Sequence, residues 1–271
     1  MGLARGMEPP LEVRSTIDRS WLDRTARREP VEHAYARWDL DRFPDRVRFV
    51  SALRSGRTLG YLLIWRGPGD VPVVQAYGPA EAAGPLAAAL PARPLVAVVP
   101  PTWAERTESI RGPGTAYPEA ALFRPVDRAA PSRPPTAPPI RRLTATDAPE
   151  LVEWARQHSA PEVSEYPSLS PDHEAIWGAY DAGRLVGAAR AAVRLPSEWV
   201  VAGVFVEPTA RRKGLGGALI ATIVAAAGAE GAGVGLYVRE DRPEARRMYD
   251  RLGFRAVARR VWIDLGAGLV P

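Results

Sequence analysis

Cysteine is missing from all 271 residues, which removes disulfides, thiolate metal sites and a cysteine nucleophile at once. His33, His158 and His173 are the only histidines, and their scatter speaks against a zinc site. Asparagine is absent too, and Lys213 is the single lysine among 36 basic residues. Arginine in place of lysine fits a GC-rich bacterial genome, and the lack of thermolabile Asn and Cys fits a heat-exposed one. No apolar run is long enough to span a bilayer, and the Met1 start lacks the form of a signal peptide, so a cytoplasmic protein with no membrane partner is expected. The net charge of +5 and pI near 9.9 raise the question of nucleic acid. The basic residues are interleaved with 31 acids, however, with no basic tail, so nucleic acid is not expected as a partner.

What is present is enough apolar material, 46% of the chain, for one large domain or two modest ones. A Pro-rich stretch from Pro125 to Pro139 can form neither helix nor central strand and reads as a semi-rigid linker. After it, Ile140–Leu143 reads as a strand, and Asp147-x-x-Glu150 as a helix start ahead of Leu151, Trp154 and Ala155. A hairpin follows, with strands at 176–180 and 185–193.

The most telling segment runs from Val204 to Ile220. It passes from an apolar strand through Arg211, Arg212 and Lys213 into a turn with Gly214, Gly216 and Gly217, then into an apolar helix. Glycines leave backbone N–H groups unshielded at a helix N-terminus, where donors and dipole favour an anion. Neither a Walker loop nor a dinucleotide fingerprint fits the spacing. A second segment, 236–254, reads as strand, loop, a helix opened by Pro243 and closed by Gly253, and a new strand. Ala245, Met248, Tyr249 and Leu252 share one helical face, so Tyr249 should point inward. Arg239, Arg242, Arg246 and Arg247 add to the charge of the first turn.

The order Val-Glu-Pro-x-x-Arg-x-x-Gly-x-Gly at 206–216 resembles the acyl-CoA pyrophosphate motif of the GCN5-related N-acetyltransferase (GNAT) family, and 236–254 looks like that family's second motif. The resemblance implies acetyl-CoA as co-substrate and direct attack by an acceptor amine, a small molecule or a peptide. It implies that Val204, Phe205 and Val206 hold the pantetheine arm and that Arg211, Arg212, Lys213, Gly214, Leu215, Gly216 and Gly217 hold the pyrophosphate. Tyr249 would then protonate the departing thiolate, and Arg242, where relatives often have Asn, could reach the phosphates. The usual strand carboxylate is missing from 199–206, which leaves the base open among Glu198, Glu162, Glu165, Asp172, His173 and Glu174. Glu207 reads as a solvated turn residue. The gap also keeps a non-catalytic acyl-CoA-binding or regulatory module in view. A homodimer stays open.

The first half echoes the second. Ala52-Leu-Arg-Ser-Gly-Arg-Thr-Leu-Gly60 matches Ala179–Gly187 at Ala, Gly, Arg and Gly with one fixed offset. Farther on, Gly78-Pro79 falls under Glu207-Pro208, and Leu86 and Leu90 fall under Leu215 and Leu219. Arg211 and Arg212 meet Ala82 and Ala83, Gly214 meets Pro85, and Tyr249 meets Glu108. The expectation is an α/β (α+β) chain of two tandem GNAT-like domains, each a mixed, mostly antiparallel sheet flanked by helices. Residues 1–127 would be degenerate and non-catalytic, 128–139 the linker, and 140–271 the acetyltransferase domain.

Overall fold

The computed structural model describes residues 9–66, 71–126, 139–158, 160–163, 166–171 and 175–271. Nearly all of the expected linker, 127–138, lies outside them, as do the candidate bases Glu165, Asp172, His173 and Glu174. Two compact units form, and they are not consecutive in sequence: one holds 1–27, 39–117 and 260–269, the other 28–38, 118–259 and 270–271.

The first unit is a sheet of β1 (Glu12–Arg14), β2 (Val47–Arg54), β3 (Arg57–Trp65), β4 (Val73–Tyr77), β5 (Leu95–Val99) and the end of β12 (Arg255–Leu265), in that order. All neighbours are antiparallel except β4 and β5. Helices α1 (Arg19–Ala26), α3 (Ala83–Ala88) and α4 (Ala104–Arg111) accompany it. Its core gathers Leu62, Val74, Leu86, Leu95, Trp103 and, from the chain's far end, Ile263 and Leu265.

The second unit orders its strands β6 (Thr115–Arg124), β11 (Gly233–Arg239), β10 (Glu198–Val206), β9 (Arg184–Arg194), β8 (Ala175–Asp181) and β7 (Ile140–Arg142). Only β10 and β11 run parallel. Helix α6 (Leu215–Ala229) is apolar on every side and buries Leu215, Leu219, Ile220, Ile223 and Val224, while α5 (Ala148–Arg156) and α7 (Pro243–Arg251) bury one stripe each. The start of α2 (Pro30–Arg42) also belongs here. Val31 fills the space above Gly235, where a Cβ would come within 2.6 Å of it, and its carbonyl accepts from the Tyr237 hydroxyl at 2.8 Å. No helix among the described residues is long and apolar enough to cross a membrane.

The α5 entry differs in detail from expectation. Asp147, rather than Glu150, closes the N-terminal turn, its carboxylate accepting from the Thr144 N–H at 2.8 Å. Glu150 instead accepts from the Tyr180 hydroxyl at 3.1 Å and the Leu185 N–H at 3.3 Å, tying the helix to the hairpin.

Candidate functional site

The site begins where two parallel strands part. β10 and β11 are in register from Glu198–Gly233 to Val201–Leu236, and beyond that no pairing joins them although both strands continue. The cause lies in β10, whose register with β9 slips between Ala202 and Phe205 around Gly203, at φ 62°. An isolated glycine in a strand pattern marks such a bulge. Here it is required: a Cβ at Gly203 would stand 3.1 Å from the Glu162 carbonyl oxygen and 3.1 Å from the Tyr166 hydroxyl. That hydroxyl donates to the Gly203 carbonyl at 2.7 Å. Past the bulge, Phe205 is buried toward α5, and Val204 and Val206 pack toward α6.

A short 3-10 turn, Pro208–Ala210, leads into the glycine turn. Arg211 is extended, Arg212 takes φ 62° and Gly214 φ 78°. A Cβ at Gly214 would meet nothing within 4 Å, so the backbone there is open on its outer side. Leu215, Gly216 and Gly217 form the first turn of α6, whose amides have no intrahelical acceptor; the first bond is from Ala218 N–H to the Gly214 carbonyl at 3.0 Å. Arg211, Arg212 and Lys213 are exposed. Arg211 donates to the Val206 carbonyl at 2.9 Å and lies 5.4 Å over the Phe205 ring, which fixes its guanidinium beside the strand. Lys213 reaches Asp181 at 3.3 Å.

Helix α7 closes the other side. Met248 packs on the glycine turn, its sulfur 3.4 Å from where a Gly216 Cβ would be. Tyr249, the next residue, is 6% exposed, belongs to the same apolar cluster as Leu215 and Leu219, and sits edge-on to Phe254 at 5.8 Å. Burial raises its phenol pKa well above the ordinary value, and the charge of Glu162 raises it further, so the proton is held at neutral pH. Arg242 makes no cap bond to α7 and extends outward beside Asp241 at 4.0 Å.

The acetyltransferase (GNAT) family model matches residues 139–254. These residues belong to the GNAT family. A Drosophila protein of known structure superposes on 96% of this chain and 98% of its own, with a TM-score of 0.69 at 17% identity. A GCN5-related N-acetyltransferase from Sphaerobacter thermophilus gives 0.59 at 16% identity, covering 94% of this chain and 96% of its own. A tandem GNAT protein from the clavulanic acid biosynthesis pathway gives 0.55 at 15%, covering 96% and 100%. At such identities the likeness is one of fold, and it extends over both halves: the chain carries a GNAT family domain at 139–254 and folds as two GNAT-like halves. No curated protein matches the sequence.

Two carboxylates of this GNAT chain are placed differently from their sequence reading. Glu207 is not solvated: at 5% exposure it accepts from Arg184 twice, at 2.7 and 2.8 Å, and from the Trp154 indole at 3.0 Å, with His158 3.6 Å away. The Arg184 bonds hold its pKa below the ordinary carboxylate range. Glu198, 1% exposed, is bound by Arg37 at 2.7 Å and by Ser197, at the end of β10 where the strands are still joined. Burial raises its pKa. Neither pairing was legible, because Arg184 and Arg37 lie 23 and 161 residues from their partners.

Proposed function

We propose that this GNAT protein transfers an acetyl group from acetyl-CoA to an amine acceptor by direct attack, and that it does so in the second unit alone. The observation that carries the reading is the juxtaposition of the open glycine turn with a buried tyrosine one residue from the methionine that packs on it. The residues suit the substrate. Amides from Arg212 to Gly217, with Arg211, Arg212 and Lys213 around them, offer donors and positive charge to a pyrophosphate. The stretch Val204–Val206, paired with β9 but not with β11, offers strand backbone on its open side to the pantetheine amides, and Arg242, exposed at the start of α7, offers a further cation.

Tyr249 serves as the acid. Attack of the amine nitrogen on the thioester carbon expels a thiolate, and the phenol O–H supplies its proton. With no cysteine in the chain, a cysteinyl acyl-enzyme is not an option. The missing strand carboxylate favours a second reading, a non-catalytic acyl-CoA-binding module.

Calorimetric titration of the full chain with acetyl-CoA tests the placement. One site per chain is expected; two sites would overturn the silence of the first half, and no binding would sink the reading. A thiol-release assay with a panel of primary amines (a polyamine, an aminoglycoside, a lysine peptide) separates enzyme from binder.

A further inference from the structure

The face of the second sheet turned away from α6 and α7 carries a hollow. Val201 on β10, Leu236 and Val238 on β11, and Ala189 and Ala191 on β9 all belong to the cluster under α6, so the residues beside them, Ala202, Tyr237 and Arg190, project from the other face. Register puts these three in one row. Ala202 stands opposite Arg190, and Tyr237 is the first residue of β11 beyond its last pairing with β10. The row therefore lies where the strands part.

Helices cover the sheet on either side of the row. Leu151 and Trp154 of α5 pack with Ile176 and Ala188, and Ala34 and Tyr35 of α2 with Val193 and Val200. Among the described residues Ala202 joins neither cluster, and it is half-exposed between two long side chains. Those two walls are unlike. Tyr237 is fixed: its hydroxyl donates to the Val31 carbonyl at 2.8 Å, and its ring stacks on that of Tyr35 with centroids 6.4 Å apart. Arg190 is a half-buried cation across a small floor. Tyr249 packs in the cluster on the opposite face, so a molecule in the hollow would meet the open side of β10 from the side away from the phenol.

A cation at this place has a consequence for the acceptor. An ammonium brought beside a half-buried guanidinium is repelled. The repulsion is offset when the same molecule carries an anion, because the planar guanidinium binds a carboxylate or a phosphate through two parallel N–H bonds. We propose that Arg190 selects, in the hollow over Ala202, an acceptor that is a primary amine also bearing an anion, with the body of the molecule lying against the Tyr237 ring. This rests on the acetyl-transfer reading above and narrows its amine acceptor to one class. Polycationic amines are disfavoured by the same charge, and the small side chain of Ala202 gives the hollow its depth.

The test follows thiol release with pairs of amines that differ in the anion, phenylalanine against phenylalaninamide and phosphoethanolamine against ethanolamine, beside a polyamine. In the wild type the anionic member of one pair should have the lower KM, and which pair shows it tells carboxylate from phosphate. Arg190→Gln should raise KM for that member roughly 10- to 100-fold with kcat little changed, leave its anion-free partner unaffected, and still bind one acetyl-CoA per chain. Arg190→Lys should restore part of the difference. Ala202→Leu, which fills the hollow, should raise KM for both members without weakening acetyl-CoA binding. Equal KM within both pairs in the wild type, a preference for the polyamine, or a KM ratio that Arg190→Gln does not move would overturn selection by Arg190 while leaving acetyl transfer standing. A wild type that binds acetyl-CoA yet acetylates none of these amines would overturn the transfer reading and this proposal with it.

Discussion

The two halves of the molecule share a hairpin down to its irregularities and differ in the turn that follows. In β2–β3 the turn residues Ser55 and Gly56 take φ 49° and 76°; in β8–β9 Ala182 and Gly183 take 49° and 79°. Ala52 faces Gly60 as Ala179 faces Gly187, and the register slips at the same next step in both. Even the crowding repeats: a Cβ at Gly60 would strike the Tyr77 carbonyl at 2.3 Å, and one at Gly187 would come 3.0 Å from the Phe205 carbonyl. Such agreement points to duplication.

Then the halves part. β4 keeps unbroken register with β3, whereas β10 is bulged. In the first half the 3-10 turn Ala80–Ala82 runs straight into α3, and the Ala82 and Ala83 amides are spent on the Pro79 and Ala80 carbonyls. In the second, the turn 208–210 is followed by four residues, 211–214, before α6 begins. Pro85 accordingly lies inside the first turn of α3 rather than ahead of it. The first half keeps as many residues between Pro79 and Leu86 as the second has between Pro208 and Leu215, but they are wound into turn and helix and leave no open loop. The packing leucines survive because the core still needs them: Leu86 and Leu90 are as buried as Leu215 and Leu219. An anion site depends on donors left over after packing, and those are what the first half no longer has.

Substitutions at paired positions should break or sharpen this contrast. The largest effect is expected from Tyr249→Phe, which should cut thiol release by about 10²–10⁴-fold with acetyl-CoA affinity retained, while Glu108→Gln at the matching place should leave the rate alone. Equal losses would mean that both halves act. Next, Arg212→Ala should weaken acetyl-CoA binding about tenfold, the factor corresponding to 1.4 kcal/mol and to the loss of one charge-assisted contact, and should reduce its salt dependence. Ala83→Arg at the matching position of the first half should add no second site in the same titration.

The hairpin arginines give a stability test. Arg184→Gln or Glu207→Gln should lower the melting temperature by a few degrees, whereas Arg57→Gln at the matching position should not, because Gly78 stands where Glu207 does. Glu207 has a folded pKa depressed below its unfolded value, so its contribution is present above the ordinary carboxylate range and disappears as pH falls through that depressed value. The gap between wild type and Glu207→Gln should therefore narrow only on acidification, and a gap constant with pH would show that the charge is not responsible. Smallest is the glycine pair. Gly214→Ala forces a Cβ into φ 78° and should cost about 1–2 kcal/mol. Gly84→Ala in α3 meets only the Arg106 side chain at 3.5 Å and should gain up to about 1 kcal/mol from helix propensity.

Much of the fold was legible in the sequence, because local rules wrote it. Pro243 and Gly253 bound α7, the 181–184 turn sets the hairpin, and the apolar face with Tyr249 turned inward as spacing required. Less of the site was legible. Gly203 alone hinted at a bulge, and nothing local said that a loop forty residues earlier would fill it.

The sequence by itself determined the elements, the repeated hairpin and the glycine turn with its basic residues, since each depends on neighbours a few positions apart. Only the tertiary structure decided which carboxylates were buried in ion pairs, Glu207 with Arg184 and Glu198 with Arg37. It also decided that strand 118–124 and helix start 28–38 complete the second unit while 260–265 completes the first. Those outcomes hang on contacts between segments up to about two hundred residues apart, such as Tyr237 to Val31, where chain connectivity carries no information and only burial and hydrogen-bond satisfaction choose the partner.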